Sequence, residues 1–397
     1  MEYRERSRNV FLYRLYVIFN EPLFWGPILT ISLQRLAGMS LPEIYYMEAV
    51  VLCLCVALDA PSGAIADVIG RRRTIILGRI FLAGSIVCFA LMTNALWAWI
   101  GNLLWAVGFT LQSGADTSLL YETLKEDGRE SEYKTVQGQA VGTRFVLMAF
   151  TSLAVGFLAE TDPRLPLYFC IPFVLVPLVA AFLWKEPILT ERYSVGKQME
   201  CLRQGIAFAF KSVQVRWMLG FAALILSTSK VWFFTYNPYF ELVGVPLAHF
   251  GFIFFLLNIV AFLSSYYADR IESRLGERRC VLVAVLCVGG PIVLMALVPI
   301  HPFAYLVVVQ NIVRGFMRPF LEDYIHHHIT ASDSTVSIRA TVMSLQTTVA
   351  NLTAIVGLAG FGFLTGHLTL LTSLGILGFL CLALGGWSYW SYVRRIA

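Results

Sequence analysis

The sequence predicts an all-α membrane protein, with twelve transmembrane helices in two pseudo-symmetric six-helix bundles. Three observations carry this prediction. The 397 residues are 58% hydrophobic and 14% charged, with a mean hydropathy of +0.70, whereas a soluble domain carries about 25% charged residues. Apolar runs recur at the length of about 20 residues that a helix needs to cross a bilayer. A pattern of glycines and charges also repeats after half the chain.

By length and hydropathy the spans are read at 10–32, 43–66, 74–93, 95–120, 135–160, 164–184, 214–240, 246–268, 280–299, 302–327, 339–365 and 368–392. Residues 1–9 form a polar, basic tail with no cleavable targeting signal. The first bundle covers 10–184 and the second 214–397. The linker 185–213 carries Lys185, Arg192, Lys197, Arg203 and Lys211, and its part from Gly196 to Phe210 is amphipathic enough to lie on a membrane surface.

Arginine and lysine fix the orientation. With both termini cytoplasmic, only Arg35 and Arg164 of the thirty fall on outer loops, and Arg144, Lys230, Arg314 and Arg318 fall within spans. The other twenty-four lie in inner loops, tails or inner helix ends, as the positive-inside rule requires of an inner-membrane protein. The net charge of +5 is thereby placed at lipid headgroups, and no nucleic-acid partner is expected.

The repeat is seen in Gly38/Gly244, Gly70/Gly276, Arg72/Arg278 and Arg73/Arg279, each 206 positions apart, and in Gly108/Gly315 and Asp116/Asp323, 207 apart. A near-constant offset over half a chain is the mark of parallel structural repeats.

Between the second and third spans the chain reads Gly63-Ala64-Ile65-Ala66-Asp67-Val68-Ile69-Gly70-Arg71-Arg72-Arg73. Asp59, Gly63 and Asp67 fall on one helical stripe. A carboxylate at Asp67 is expected to clasp Arg71 to Arg73, and Gly63 to admit a neighbouring helix. Gly63, Ala66, Asp67, Gly70, Arg71 and Arg72 resemble the loop signature G-x-x-A-D-x-x-G-R-R of the major facilitator superfamily, with Val68 where many members carry arginine. The resemblance implies a secondary transporter, a cytoplasmic gate formed by Asp59, Gly63, Asp67, Gly70, Arg71 and Arg72, and a central cavity lined by spans 1, 4, 7 and 10. It does not extend to the G-P-x-x-G-G kink of drug–proton antiporters, absent from span 5.

An ionisable group inside a span is costly and normally faces a cavity or a partner. Glu21 lies in span 1, followed by Pro22. Asp116 lies in span 4, Arg144 in span 5, Lys230 in span 7, and Arg314, Arg318 and Glu322 in span 10. These are the candidate substrate- or ion-coupling residues. Glu21 is read as a proton carrier, as a lock to Lys230, or as a substrate contact. Arg144 is expected to partner Asp116. Arg314, Arg318, Glu322 and His326 are spaced by four, either as a neutralising ladder from Arg318 to Glu322 or as a site for an anionic group, which suits the planar arginine fork.

Successive residues on a helix point about 100° apart, so His326, His327 and His328 cannot ligate one ion, and no metal site is expected. The eight cysteines are mostly in apolar runs and form no disulfide framework. There is no P-loop, no G-x-S-x-G, no H-E-x-x-H and no C-x-x-C. The sequence therefore points away from an enzyme, implies no cofactor, and predicts a monomer that moves a small molecule, with protons as possible partners.

Three functions stand open. One is proton-coupled export of an amphipathic compound, favoured by Trp25, Trp105, Trp232, Phe233 and Tyr236. Another is transport of an organic anion or metal chelate by Arg314, Arg318 and Lys230. The last is a non-transporting membrane sensor.

Overall fold

A computed structural model describes residues 2–21, 23–186, 206–209, 211–328 and 336–395. Pro22, the side chains of His326, His327 and His328, and most of the linker, including most of its amphipathic segment, lie outside the described residues. Among the described residues every regular element is a helix and there is no strand, as the apolar runs demand of backbone that has no water to bond.

The helices are α1 (Glu2–Ile18), α2 (Leu29–Ala37), α3 (Leu41–Ile69), α4 (Arg71–Ala90), α5 (Ala95–Gln112), α6 (Ala115–Glu126), α7 (Tyr133–Thr161) and α8 (Leu165–Leu183). The second part of the chain forms α9 (Val213–Leu242), α10 (Leu247–Tyr266), α11 (Ala268–Leu297), α12 (Val307–His328), α13 (Val336–His367) and α14 (Leu370–Arg395). Among the described residues, nine helices are long and apolar enough to cross a membrane, which makes this a multi-pass membrane protein.

Local chemistry sets the ends. Asn94 caps α5 by accepting hydrogen bonds from the Leu96 and Trp97 N–H groups, at 3.1 and 3.4 Å. Ser212 caps α9 by accepting from Val215 N–H at 3.3 Å. The repeat is written in the backbone: Gly38 and Gly244 have φ of 68° and 72°, and Gly70 and Gly276 have φ of 97° and 71°. Side chains with a Cβ rarely adopt this region, so glycine recurs where each half makes the same turn.

The chain forms two compact units. One comprises residues 1–40, 50–192 and 246–258, the other 41–49, 193–245 and 259–397. Thus α3 and α10, equivalent in the repeat, each contribute a first stretch to one unit and a later stretch to the other. In the first unit the start of α10 crosses α7 so closely that a Cβ on Gly156 would strike the Ala248 backbone and one on Gly251 the Ser152 carbonyl. Glu160 accepts from Ala248 N–H at 3.1 Å, a carboxylate at a helix N-terminus. In the second unit the start of α3 packs on α9 and α13, where Tyr45 hydrogen-bonds Thr235 and sets its ring edge against Phe361.

The core of the first unit gathers Tyr13, Tyr16, Ile75, Leu119, Leu120, Leu124 and Trp184 from α1, α4, α6 and the end of α8. Trp184 Nε1 donates to the Asn9 carbonyl at 3.0 Å, while Asn9 Nδ2 donates to the Lys185 carbonyl at 3.0 Å, fastening α1 to the end of α8. In the second unit Trp217 donates to the Ser388 carbonyl at 2.9 Å and packs on Phe221, Tyr324 and Tyr392.

Candidate functional site

Spans 1 and 4, expected as continuous helices, are both interrupted. Span 1 stops at Ile18, runs irregularly past Asn20 and Glu21, and resumes through a 3-10 turn at Gly26–Ile28 into α2. Span 4 stops at Gln112, turns at Gly114 with φ of 77°, and resumes as α6, with Asp116 in its first turn. Interrupted helices free backbone carbonyls and N–H groups, and membrane proteins tolerate this where the break is buried or lines a cavity.

Here a buried arginine satisfies the first break. Arg79, on α4, is 0% exposed. Its Nη1 donates to the Asn20 main-chain carbonyl at 3.2 Å, its Nη2 donates to Asn20 Oδ1, and its guanidinium lies 4.4 Å above the centre of the Tyr16 ring. The Tyr16 hydroxyl in turn donates to Gln112 Oε1 at 2.8 Å, at the last residue before the second break. One chain of contacts thus joins both interruptions.

A small cavity opens beside them, lined by Asn20, Glu21, Leu82, Ile86, Trp105, Phe109, Gln112 and Val174. Trp105 and Phe109 are stacked, 4.9 Å apart and 10° from parallel. Glu21 is 41% exposed and lies 3.7 Å from Arg144 Nη1. Glu21 is therefore the carboxylate partner of Arg144, in place of the expected Asp116. Asp116 is half-buried, accepts from the Thr117 N–H at 2.7 Å, and sits in the field of Arg79 and Arg144.

The other candidates lie in the second unit. Lys230 is half-buried on α9. Arg314 and Arg318 are exposed on α12, Arg318 at 81%, and Arg318 Nε donates to Glu322 Oε1 at 2.9 Å as the four-residue spacing predicts. Among the described residues no group of His, Cys, Asp and Glu is arranged to hold a metal ion.

At the expected gate, Asp59 and Asp67 are exposed, and Asp67 makes no ion pair among the described residues. The clasp runs elsewhere. Arg71 pairs with Glu122 on α6. Arg72 donates to the Ala181 and Phe182 carbonyls at 3.3 and 2.6 Å, bonding the last carbonyls of α8, and its N–H donates to Glu186 Oε1 at 3.4 Å. Among the described residues nothing lies within 4 Å of a Cβ added to Gly63, so the expected close approach of a helix is not seen there. The close approaches fall instead at Gly78 with Gly108, and at Gly315 with Ala261.

Arg79 was the sequence's hidden site residue. It stands six positions beyond Arg73, inside the apolar run 74–93. Its depth of nearly two turns was the available signal.

No protein-family model matches the sequence, and no curated protein matches it. Solved structures do. The nucleoside transporter NupG superposes with a TM-score of 0.78 at 14% identity, over 98% of this chain and 99% of that one. A point mutant of the same transporter gives 0.79. A bacterial homologue of the human lysosomal transporter Spinster, inward-facing and unoccupied, gives 0.71 at 14% identity over 98% and 96% of the chains. A POT family transporter in complex with a thioalcohol-conjugated peptide gives 0.71 at 12% identity. The chain has the major facilitator fold. That fold accounts for two six-helix halves of one design, and at these identities the likeness speaks for architecture alone.

Proposed function

We propose that the chain is a secondary transporter that exports a small amphipathic solute by alternating access, with Glu21 as its proton carrier. The observation that carries this reading is the convergence, within one unit, of two interrupted spans on a cavity bearing Glu21, Asn20 and Gln112. Interrupted helices at ionisable side chains are how transporters of several folds build solute and ion sites. The aromatic and aliphatic walls suit an apolar body, and the amides and the carboxylate suit a polar end. Arg144 lies 3.7 Å from Glu21 and is its cationic partner. The neighbours NupG and the POT protein are themselves transporters by name.

In this reading the chain lies in the plasma membrane with both termini inside, acts as a monomer, and uses the Gly63–Arg73 loop as part of its gate. A second reading rests on Arg314 and Arg318, whose exposed guanidinium groups on α12 suit an organic anion.

Solute flux in proteoliposomes tests the proposal, with a panel of organic anions, hydrophobic cations and uncharged heterocycles. Flux of one compound, reduced in Glu21→Gln, supports the first reading. Flux of an anion, lost in Arg318→Ala and kept in Glu21→Gln, favours the second. Silence across the panel contradicts both and favours a sensor.

A further inference from the structure

We propose that the break in the first span is a binding site for a planar guanidinium-type cation, which the protein fills with its own Arg79 in place of a dissolved ion. Transporters with unwound helices use the freed carbonyls to coordinate sodium ions or protons. The groups at this break suit a flat, forked cation instead. The Asn20 main-chain carbonyl accepts from Nη1 at 3.2 Å, and Asn20 Oδ1 accepts from Nη2, so one residue supplies both oxygens. The guanidinium carbon lies 4.4 Å above the centre of the Tyr16 ring, and Asp116 adds an opposite charge within its field. Two oxygens match the fork and a ring face matches its plane, whereas a hard metal ion takes about six oxygens.

The second half of the chain supplies the comparison. The residues 206 positions on from Tyr16, Asn20 and Arg79 are Ala222, Leu226 and Val285. The ring, the amide and the cation are all replaced together there, and α9 runs unbroken from Val213 to Leu242. Break and cation therefore belong to one device, present in one half only. A fully buried charge is expensive, and a neutral donor would satisfy a lone carbonyl without it. Among the described residues the buried Nε of Arg79 has no hydrogen-bond partner. The terminal nitrogens make the hydrogen bonds, and the stem only delivers them. The group recognised is thus the planar end of the side chain, which a free alkylguanidinium also carries.

The test is thermal unfolding of the purified full-length Arg79→Ala protein with N-ethylguanidinium, which restores the side-chain fragment that alanine lacks. Ethylammonium, sodium and choline chlorides at equal ionic strength are the comparison probes. Ethylguanidinium is expected to raise the unfolding temperature of Arg79→Ala by an amount that grows with concentration and saturates, as mass action on the folded state requires. Ethylammonium, with the charge and no fork, is expected to raise it less, and sodium no more than choline. Wild type, with the site already filled, is expected to respond to none of them. Adding Asn20→Leu, the residue the second half carries, is expected to abolish the rise. Where Arg79→Ala is lost on extraction from the membrane, the yield of folded protein by size exclusion, extracted with each cation in turn, is read for the same order. A response of Arg79→Ala to ethylguanidinium no larger than to choline overturns the inference, as does an equal response in wild type. Stabilisation by sodium as large as by ethylguanidinium overturns the planar-cation class. No solute is present in this measurement, so its outcome is separate from that of the transport reading.

Discussion

Arg79 donates to both oxygens of Asn20, main chain and side chain, in the interruption of the first span. The sequence supplies a break rather than a helix there, and a fully buried cation on α4 makes that break stable. Removing the guanidinium leaves the Asn20 carbonyl without its donor, at about 1–3 kcal/mol for a buried unsatisfied group. Arg79→Met is therefore expected to lower the thermal unfolding temperature markedly. Arg79→Lys, a point charge without the fork, is expected to fall between Met and wild type. A folded Arg79→Met that melts like wild type would show that the break holds itself.

The equivalent glycines at the two loop turns should respond alike. Gly70 and Gly276 hold φ values of 97° and 71°, and alanine in such a region costs about 1–3 kcal/mol. Gly70→Ala and Gly276→Ala are each expected to destabilise, whereas Gly220→Ala is not. Gly220 is helical with open space at its Cβ, and alanine is the better helix former. Thermal unfolding of the three variants side by side decides the matter.

Arg71 and Glu122 form an ion pair whose side chains are both largely shielded. A double-mutant cycle through Arg71→Ala and Glu122→Ala is expected to return a coupling of about 0.5–3 kcal/mol, the range for contacting residues. A coupling of zero would remove this pair from the clasp between α4 and α6.

Asp67 is exposed and does not contribute to that clasp. Asp67→Asn is accordingly expected to leave stability unchanged while reducing solute flux, if the loop serves as a gate. Wild-type flux in this variant would exclude Asp67 from gating.

Much of the fold was legible because it follows from patterns that local chemistry enforces. The 206-residue offset appears in the structure as paired positive φ angles at Gly38 and Gly244 and at Gly70 and Gly276, which no other residue type adopts readily. The Arg318–Glu322 contact followed from helical spacing alone. The interruptions of spans 1 and 4 were not legible in the same way. Hydropathy averages over a window and passes smoothly across Asn20 and Ser113. The donor that satisfies the freed Asn20 carbonyl lies 59 residues away, on Arg79.

Arg144 was expected to partner Asp116; its ion pair is with Glu21, in the irregular stretch between α1 and α2, a placement that a continuous span 1 does not suggest.

We propose that Glu21, in the break of the first span, couples solute movement to protons. The most direct measurement is solute-stimulated pH change inside proteoliposomes, comparing wild type with Glu21→Gln. A pH change is expected on addition of a carried solute in wild type and none in a folded Glu21→Gln. A full pH response in Glu21→Gln, at the wild-type rate, would contradict it.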